Sequence, residues 1–434
     1  MRILTPAELF CRFQSARPRG PADNSEDTTP DEAHNARLLQ LDAPFTNWIF
    51  TVANFYALFA IQLGGSNQVV GWLSSGPALI NLFWVIPCGQ FLQRARTYVT
   101  PMLAGALFHR LLVIALAFVV FLPADWRPWA LVAVVTLGSL PSTMWGLGFH
   151  SASGEMFSPR HRARFIGQRW AIANLAGTFG LLLMGRFVDA VPFPLNFQAL
   201  FIGVGLITMV TLFVVARLRV PAHPHTERSA GRPRLAWGDL WQQVRRHRAF
   251  LLFEVSILLA YASLLGAAPA FRIYWVRDLQ ATGSWVGGFT AAFSIGAMLG
   301  NLVWGRLSRP ERDRVYGLIA AAGVLALYPV LTAAFASLWP LVVVMAIAGF
   351  FSGGNDLLIF NRVVRQSPRT QRPTFIGIHN VTINLAGFVA PLVTAGLADV
   401  IGARLVLVFV GALGVAGAVA MYLLGWSGWP AEEA

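Results

Sequence analysis

Lysine does not occur in this 434-residue sequence, and all 33 basic side chains are arginine. Charge of any kind is scarce: 12% of residues are charged against 56% hydrophobic, and the mean hydropathy is +0.58. That balance excludes a water-soluble globular domain. Only two cysteines occur, Cys11 and Cys88, so neither a disulfide framework nor a zinc site is supported. The sequence has no H-E-x-x-H, no G-x-x-x-x-G-K-[ST] and no G-x-S-x-G. Nothing therefore points to a metalloprotease, an ATP-driven pump or a nucleophile-turn hydrolase, and neither a metal nor a cofactor is expected. The net charge of +13 is not gathered into a patch for nucleic acid. Its arginines lie beside apolar segments, where lipid headgroups and membrane topology account for them.

What the sequence has in quantity is long apolar runs. About 20 apolar residues in a helix cross a hydrocarbon core of about 30 Å, and a backbone there must satisfy its own hydrogen bonds. Twelve such spans can be read, at 38–63, 69–92, 98–121, 129–156, 165–190, 195–218, 250–274, 283–307, 313–336, 338–363, 373–400 and 403–425. They are too long for strands of a membrane barrel. Around them lie a polar tail at 1–36, a linker at 219–248 and a short tail at 426–434. Within the linker, Leu235 to Arg248 mixes apolar and arginine residues as an interfacial helix would.

The chain also repeats itself. RFIGQRWAIANLAG (Arg164–Gly177) returns 210 residues later as TFIGIHNVTINLAG (Thr374–Gly387). Ser-Pro-Arg precedes each copy, ending at Arg160 and Arg369, and Asp189 and Asp399 follow at equal distance. Gly71 and Gly89 likewise recur as Gly287 and Gly305. Two related halves, 37–218 and 249–425, are expected. Gly167 with Gly377 and Gly177 with Gly387 are read as sites of close helix approach, and Asn174 and Asn384 as amides bonding a neighbouring helix or meeting substrate. Asp189 and Asp399 read as helix-end residues. Of the 33 arginines, 27 fall on one side of the proposed spans, which puts both termini and the linker in the cytoplasm of a cell whose cytoplasmic (inner) membrane holds the protein.

Twelve spans, two halves, a long linker and matching loops after spans 2 and 8 resemble the major facilitator superfamily of secondary transporters. The loops are GQFLQRAR, with Gly89, Arg94 and Arg96, and GRLSRPERDR, with Gly305, Arg306 and Arg312. Gln93 and Arg309 stand where the family pattern has an acid. The resemblance implies an all-α integral membrane fold of twelve transmembrane helices in two pseudo-symmetric bundles, and a monomer that moves a small organic molecule by alternating access. It also implies that spans 1, 4, 7 and 10 line the cavity. Lipid flipping or ligand sensing on the same fold is the alternative.

The acids within those spans are Asp42, Glu155, Glu254 and Asp356. Ionisable groups in hydrocarbon face a bundle interior or water, so the expected coupling residues are Asp356, then Asp42, then Glu254, carrying protons or sodium. Asp356 follows Gly353-Gly354-Asn355, read as a loosened stretch of helix. Glu155 reads as a boundary residue beside arginines. His379 occupies the repeat position of Arg169. Arg110, about 18 Å into its span, requires a carboxylate, backbone carbonyls or an anion, and an ion pair is expected. Tyr56 and Tyr261 are candidate cavity aromatics.

Overall fold

A computed structural model describes residues 28–220, 248–307, 313–366 and 372–425. Among these the chain is helical throughout, with no strand. The helices are α1 (Pro30–Thr51, a 3-10 turn Val52–Phe55, then Tyr56–Gln62), α2 (Asn67–Arg94), α3 (Val99–Ala115, continued by Leu116–Phe121) and α4 (Arg127–Met156). Next come α5 (Pro159–Ala190), α6 (Leu195–Thr208 and Val210–Val215), α7 (Arg248–Ile273, ending in the π-turn Tyr274–Asp278) and α8 (Gly283–Leu307). The chain closes with α9 (Asp313–Ala321, Ala322–Leu327 and Tyr328–Ala334), α10 (Leu338–Gln366), α11 (Arg372–Ile401) and α12 (Ala403–Ala420, then Met421–Gly425). Eleven of these, α2 to α12, are long and apolar enough to cross a membrane. The first begins at Pro30, eight residues before the span read from hydropathy, because Thr29 and Glu32 form a capping box.

Alternating helix direction brings the start of α1 and the end of α12 to the end of the bundle where the 6–7 linker attaches, here called the linker end. Hydrogen bonds join the two halves at the opposite, far end. There α2 crosses α11 and α5 crosses α8, in pseudo-symmetric fashion. A Cβ on Gly71 would stand 2.7 Å from Ala395 Cβ and 3.0 Å from the Pro391 carbonyl, and one on Gly287 would stand 2.3 Å from the Leu181 carbonyl. Only glycine admits these crossings. Beyond them Asp189 caps α8, accepting from the Gly283 amide at 2.6 Å, the Ser284 amide at 2.8 Å and the Thr282 hydroxyl at 2.8 Å. Its repeat partner Asp399 accepts from Asn67 of α2 at 2.8 Å. The two aspartates are thus inter-half clasps rather than plain helix ends.

At the linker end Glu32 ties α1 to α5. Its carboxylate accepts from the Ser158 amide at 2.7 Å and sits 3.5 Å from His161. The Ser158 amide is the main reason its pKa falls from 4.5 to about 2. Since the folded value is depressed, this clamp stabilises fully above about pH 4.5 and is lost as pH falls through about 2. The melting temperature of Glu32→Gln is expected to show less acid sensitivity across that window than wild type; identical acid profiles would mean that the clamp contributes nothing.

Candidate functional site

The repeat reappears in the structure as two buried charge pairs. Asp42 on α1 meets Arg169 on α5, with Nη2 to Oδ2 at 3.0 Å; Glu254 on α7 meets His379 on α11, with Oε1 to Nδ1 at 3.2 Å. All four residues are buried. In the N-terminal half α1 can approach because α5 offers small residues there. Asn47 and Trp48 donate to the Ala173 and Ala176 carbonyls, and Gly177 and Gly180 leave room for those side chains. Asp42 also accepts from the Thr46 hydroxyl at 2.8 Å, and the Arg169 guanidinium lies 4.3 Å from the Phe149 ring. In the C-terminal half Leu258 takes the place corresponding to Thr46, so Glu254 gains no hydroxyl, and its Oε2 is buried without a partner.

The halves part toward the linker end. On α5, Asn174 shares a face with Leu181 and Gly185, seven and eleven residues on, which meet α8 at the far end. On α11, Asn384 has the same relation to Pro391 and Ala395, which meet α2. Asn174 is exposed and Asn384 half-buried, and the Asn384 amide donates to Asn380 of its own helix. Neither is seen bonding a neighbouring helix, because the facing helices have diverged at this level. Asp356 is exposed, and it interacts electrostatically with half-buried Tyr261 of α7, as does Glu254. On the N-terminal side a cavity of about 150 Å³ is lined by Thr46, Asn47, Trp145, Arg169 and Trp170.

Several expected residues lie elsewhere. Arg110 is buried without a carboxylate partner. Its Nε donates to the Thr208 carbonyl at 2.9 Å and its Nη1 to Ala106 at 2.8 Å, while Nη2 bonds the Thr211 hydroxyl. The break in α6 after Thr208 presents a carbonyl to it, so the expected ion pair is replaced by carbonyl bonding. Asn355 is buried against Phe253, Leu358 and Met421, away from the opening. The Gly353-Gly354 stretch is unbroken helix, because these glycines seat α10 on Ala297 and Trp304 of α8. Tyr56 packs on Phe201 and lines a separate cavity of about 140 Å³ with His109.

Gly167 and Gly377 have nothing within 4 Å of an added Cβ, so close approach applies at Gly177 but not at them. Gly89 likewise stands in open space, Gly305 meets only Leu357 at 3.9 Å, and Arg94, Arg96 and Arg306 are exposed. Glu155 borders a cleft with Glu32, Ser158 and Arg219. Arg312 and Arg369 lie outside the described residues, as do residues 1–27 and 426–434 of the tails and 221–247 of the linker; the Arg160 side chain is also outside them. Sequence reasoning did not find Thr46, Asn47 or Trp170, for which no local signal exists.

Solved structures share this architecture. The nucleoside transporter NupG aligns with a TM-score of 0.71 at 13% identity, covering 90% of this chain and 98% of that one. A bacterial homologue of the human lysosomal transporter Spinster, inward-facing and occupied, aligns at 0.65 and 14%, covering 92% and 97%. A POT family transporter in complex with 5-aminolevulinic acid aligns at 0.67 and 13%, covering 90% and 95%. No curated protein sequence matches this chain. The sequence profile of the Major Facilitator Superfamily matches residues 38–271 and again 255–432, spanning both repeats, and the chain belongs to that superfamily of membrane transport proteins.

Proposed function

We propose that this chain is a secondary active transporter that carries a small organic molecule across the cytoplasmic membrane by alternating access, coupled to protons. The moving bodies are the halves 37–218 and 249–425. The observation that carries the reading is Asp356, an exposed carboxylate on α10 that bears on Tyr261 of α7, while Asp42 and Glu254 are buried in pairs. An acid so placed can meet both substrate and protons from one side of the membrane. The side is the cytoplasm on the distribution of arginine, and the far end is then extracytoplasmic. Of the similar structures named above, one is a nucleoside transporter and another is in complex with 5-aminolevulinic acid, so small polar organic molecules form the first panel.

The test is uptake of that panel into proteoliposomes under an imposed pH gradient at constant sodium. Wild type should accumulate a compound, and Asp356→Asn should abolish accumulation while leaving exchange. Accumulation driven by sodium alone, or undiminished in Asp356→Asn, would overturn the proton reading. In whole cells a single cysteine at Ser229, in a background without Cys11 and Cys88, should be protected from impermeant thiol reagent. Labelling there would reverse the orientation.

A further inference from the structure

The two buried pairs occupy corresponding places, yet they differ in one chemical respect. Arg169 is a permanent cation, so Asp42–Arg169 is net neutral whenever Asp42 is ionised. His379 can lose its proton, and Glu254–His379 then becomes a lone buried anion. The surroundings accentuate this contrast. Asp42 accepts from Thr46 as well as Arg169, and the Arg169 cation rests on Phe149. Glu254 has His379 on Oε1 and no partner on Oε2, and the imidazole stacks on Phe253 with centroids 6.2 Å apart. A buried carboxylate without a counter-charge is costly, and water entering from an opened half relieves the cost.

We infer that the Glu254–His379 pair is where the coupling proton is held, and that Asp42–Arg169 is its counterpart with a fixed cation. The inference rests on the proton-coupled reading above and adds the holding site to it. With the proton on the imidazole, both halves carry a neutral pair and the protein is charge-symmetric across its repeat. When the proton leaves, the C-terminal half alone carries a buried negative charge, and only that half gains from hydration. The groups facing the pair are Tyr261 of α7, whose ring stands edge-on to His379 at 6.5 Å, and Asp356 of α10, which bears on Tyr261. The same α10 also carries Arg362. Of the other helices packed on α11, α2 carries Cys88 and Arg94, and α12 carries Arg404 and Tyr422 near its ends. Asp356, exposed on α10 and bearing on Tyr261, then serves as the route by which protons reach the pair.

The experiment uses purified full-length protein in phosphatidylcholine liposomes, with protons as the only ligand and ring-¹⁵N histidine followed by NMR from pH 5 to 9. The resonance missing from His379→Gln identifies His379. In wild type it should pass between neutral and charged forms within that range. In Glu254→Gln the ratio of charged to neutral ring at a given pH should fall at least about tenfold, because the carboxylate no longer favours the cation. Arg169→His should add a second buried imidazole with the same behaviour beside Asp42. His379→Arg restores the fixed-charge arrangement of the other half, should remain folded by melting temperature, and should show no His379 transition while retaining the remaining histidine signals.

A His379 ring that stays in one form throughout, or whose proton occupancy ignores Glu254→Gln in a folded protein, overturns the inference. Neither outcome depends on transport. A wild type with no pH-driven accumulation would instead strike the proton-coupled reading itself.

Discussion

Asp42→Asn is expected to cost about 3–5 kcal/mol of stability, because it strands the Arg169 guanidinium in the bundle without its counter-charge. Asp42 is fully buried and Arg169 is 4% exposed, so water can take over little of the lost interaction. Asn preserves the shape of the carboxylate, which assigns the effect to charge and not to a cavity. Removing both charges together in Asp42→Asn/Arg169→Gln should recover most of the loss. Glu254→Gln should cost much less than Asp42→Asn, since its partner can shed a proton and become neutral. Melting temperatures and yields of detergent-purified variants decide it. If the double variant is no better than Asp42→Asn, or if Asp42→Asn melts with wild type, the buried pair is not what holds α1 on α5.

Gly287→Ala should move the balance between closed and open far ends by about 1–3 kcal/mol, roughly five- to more than a hundredfold in their ratio. The added methyl would lie 2.3 Å from the Leu181 carbonyl and 3.1 Å from its carbon, and backbone cannot rotate aside as a side chain can. Helix α8 must therefore stand off α5. The reporter is a cysteine at Ala281, which is 3% exposed at the far end, in a background without Cys11 and Cys88. Its reaction with an impermeant thiol reagent from the far side should accelerate in Gly287→Ala and, by the same argument, in Gly71→Ala. Unchanged labelling in both variants would show that these crossings do not seal the far end.

Much of this was legible from residues alone. Hydropathy located the spans, and the repeated phrase pointed to the two stretches that the family profile matches. Gly71 and Gly287 were visible as matching landmarks because close crossings admit so few side chains. Asp42, Glu254, Arg169 and His379 were each visible too, but their pairing was not, since it joins α1 to α5 and α7 to α11 across about 125 residues of chain. The similar separations, 127 residues from Asp42 to Arg169 and 125 from Glu254 to His379, could have suggested it. Arg110 was misread because a break in α6 offered a carbonyl that no sequence pattern announces. The glycines before Asp356 were misread for a related reason: composition cannot distinguish a weakened helix from one pressed against a neighbour.

The clasps at the far end set how firmly that end is held. Asp189 takes three hydrogen bonds from α8 and its preceding turn, and Asp399 takes one from α2. Each of these groups would bond water once the halves separate, so the net worth of each bond to a carboxylate is only about 1.5–3 kcal/mol. Such contacts align the closing surfaces more than they resist their parting. Water takes over each bond as the halves separate, so the clasps do not bar the parting that the proposed alternating access requires.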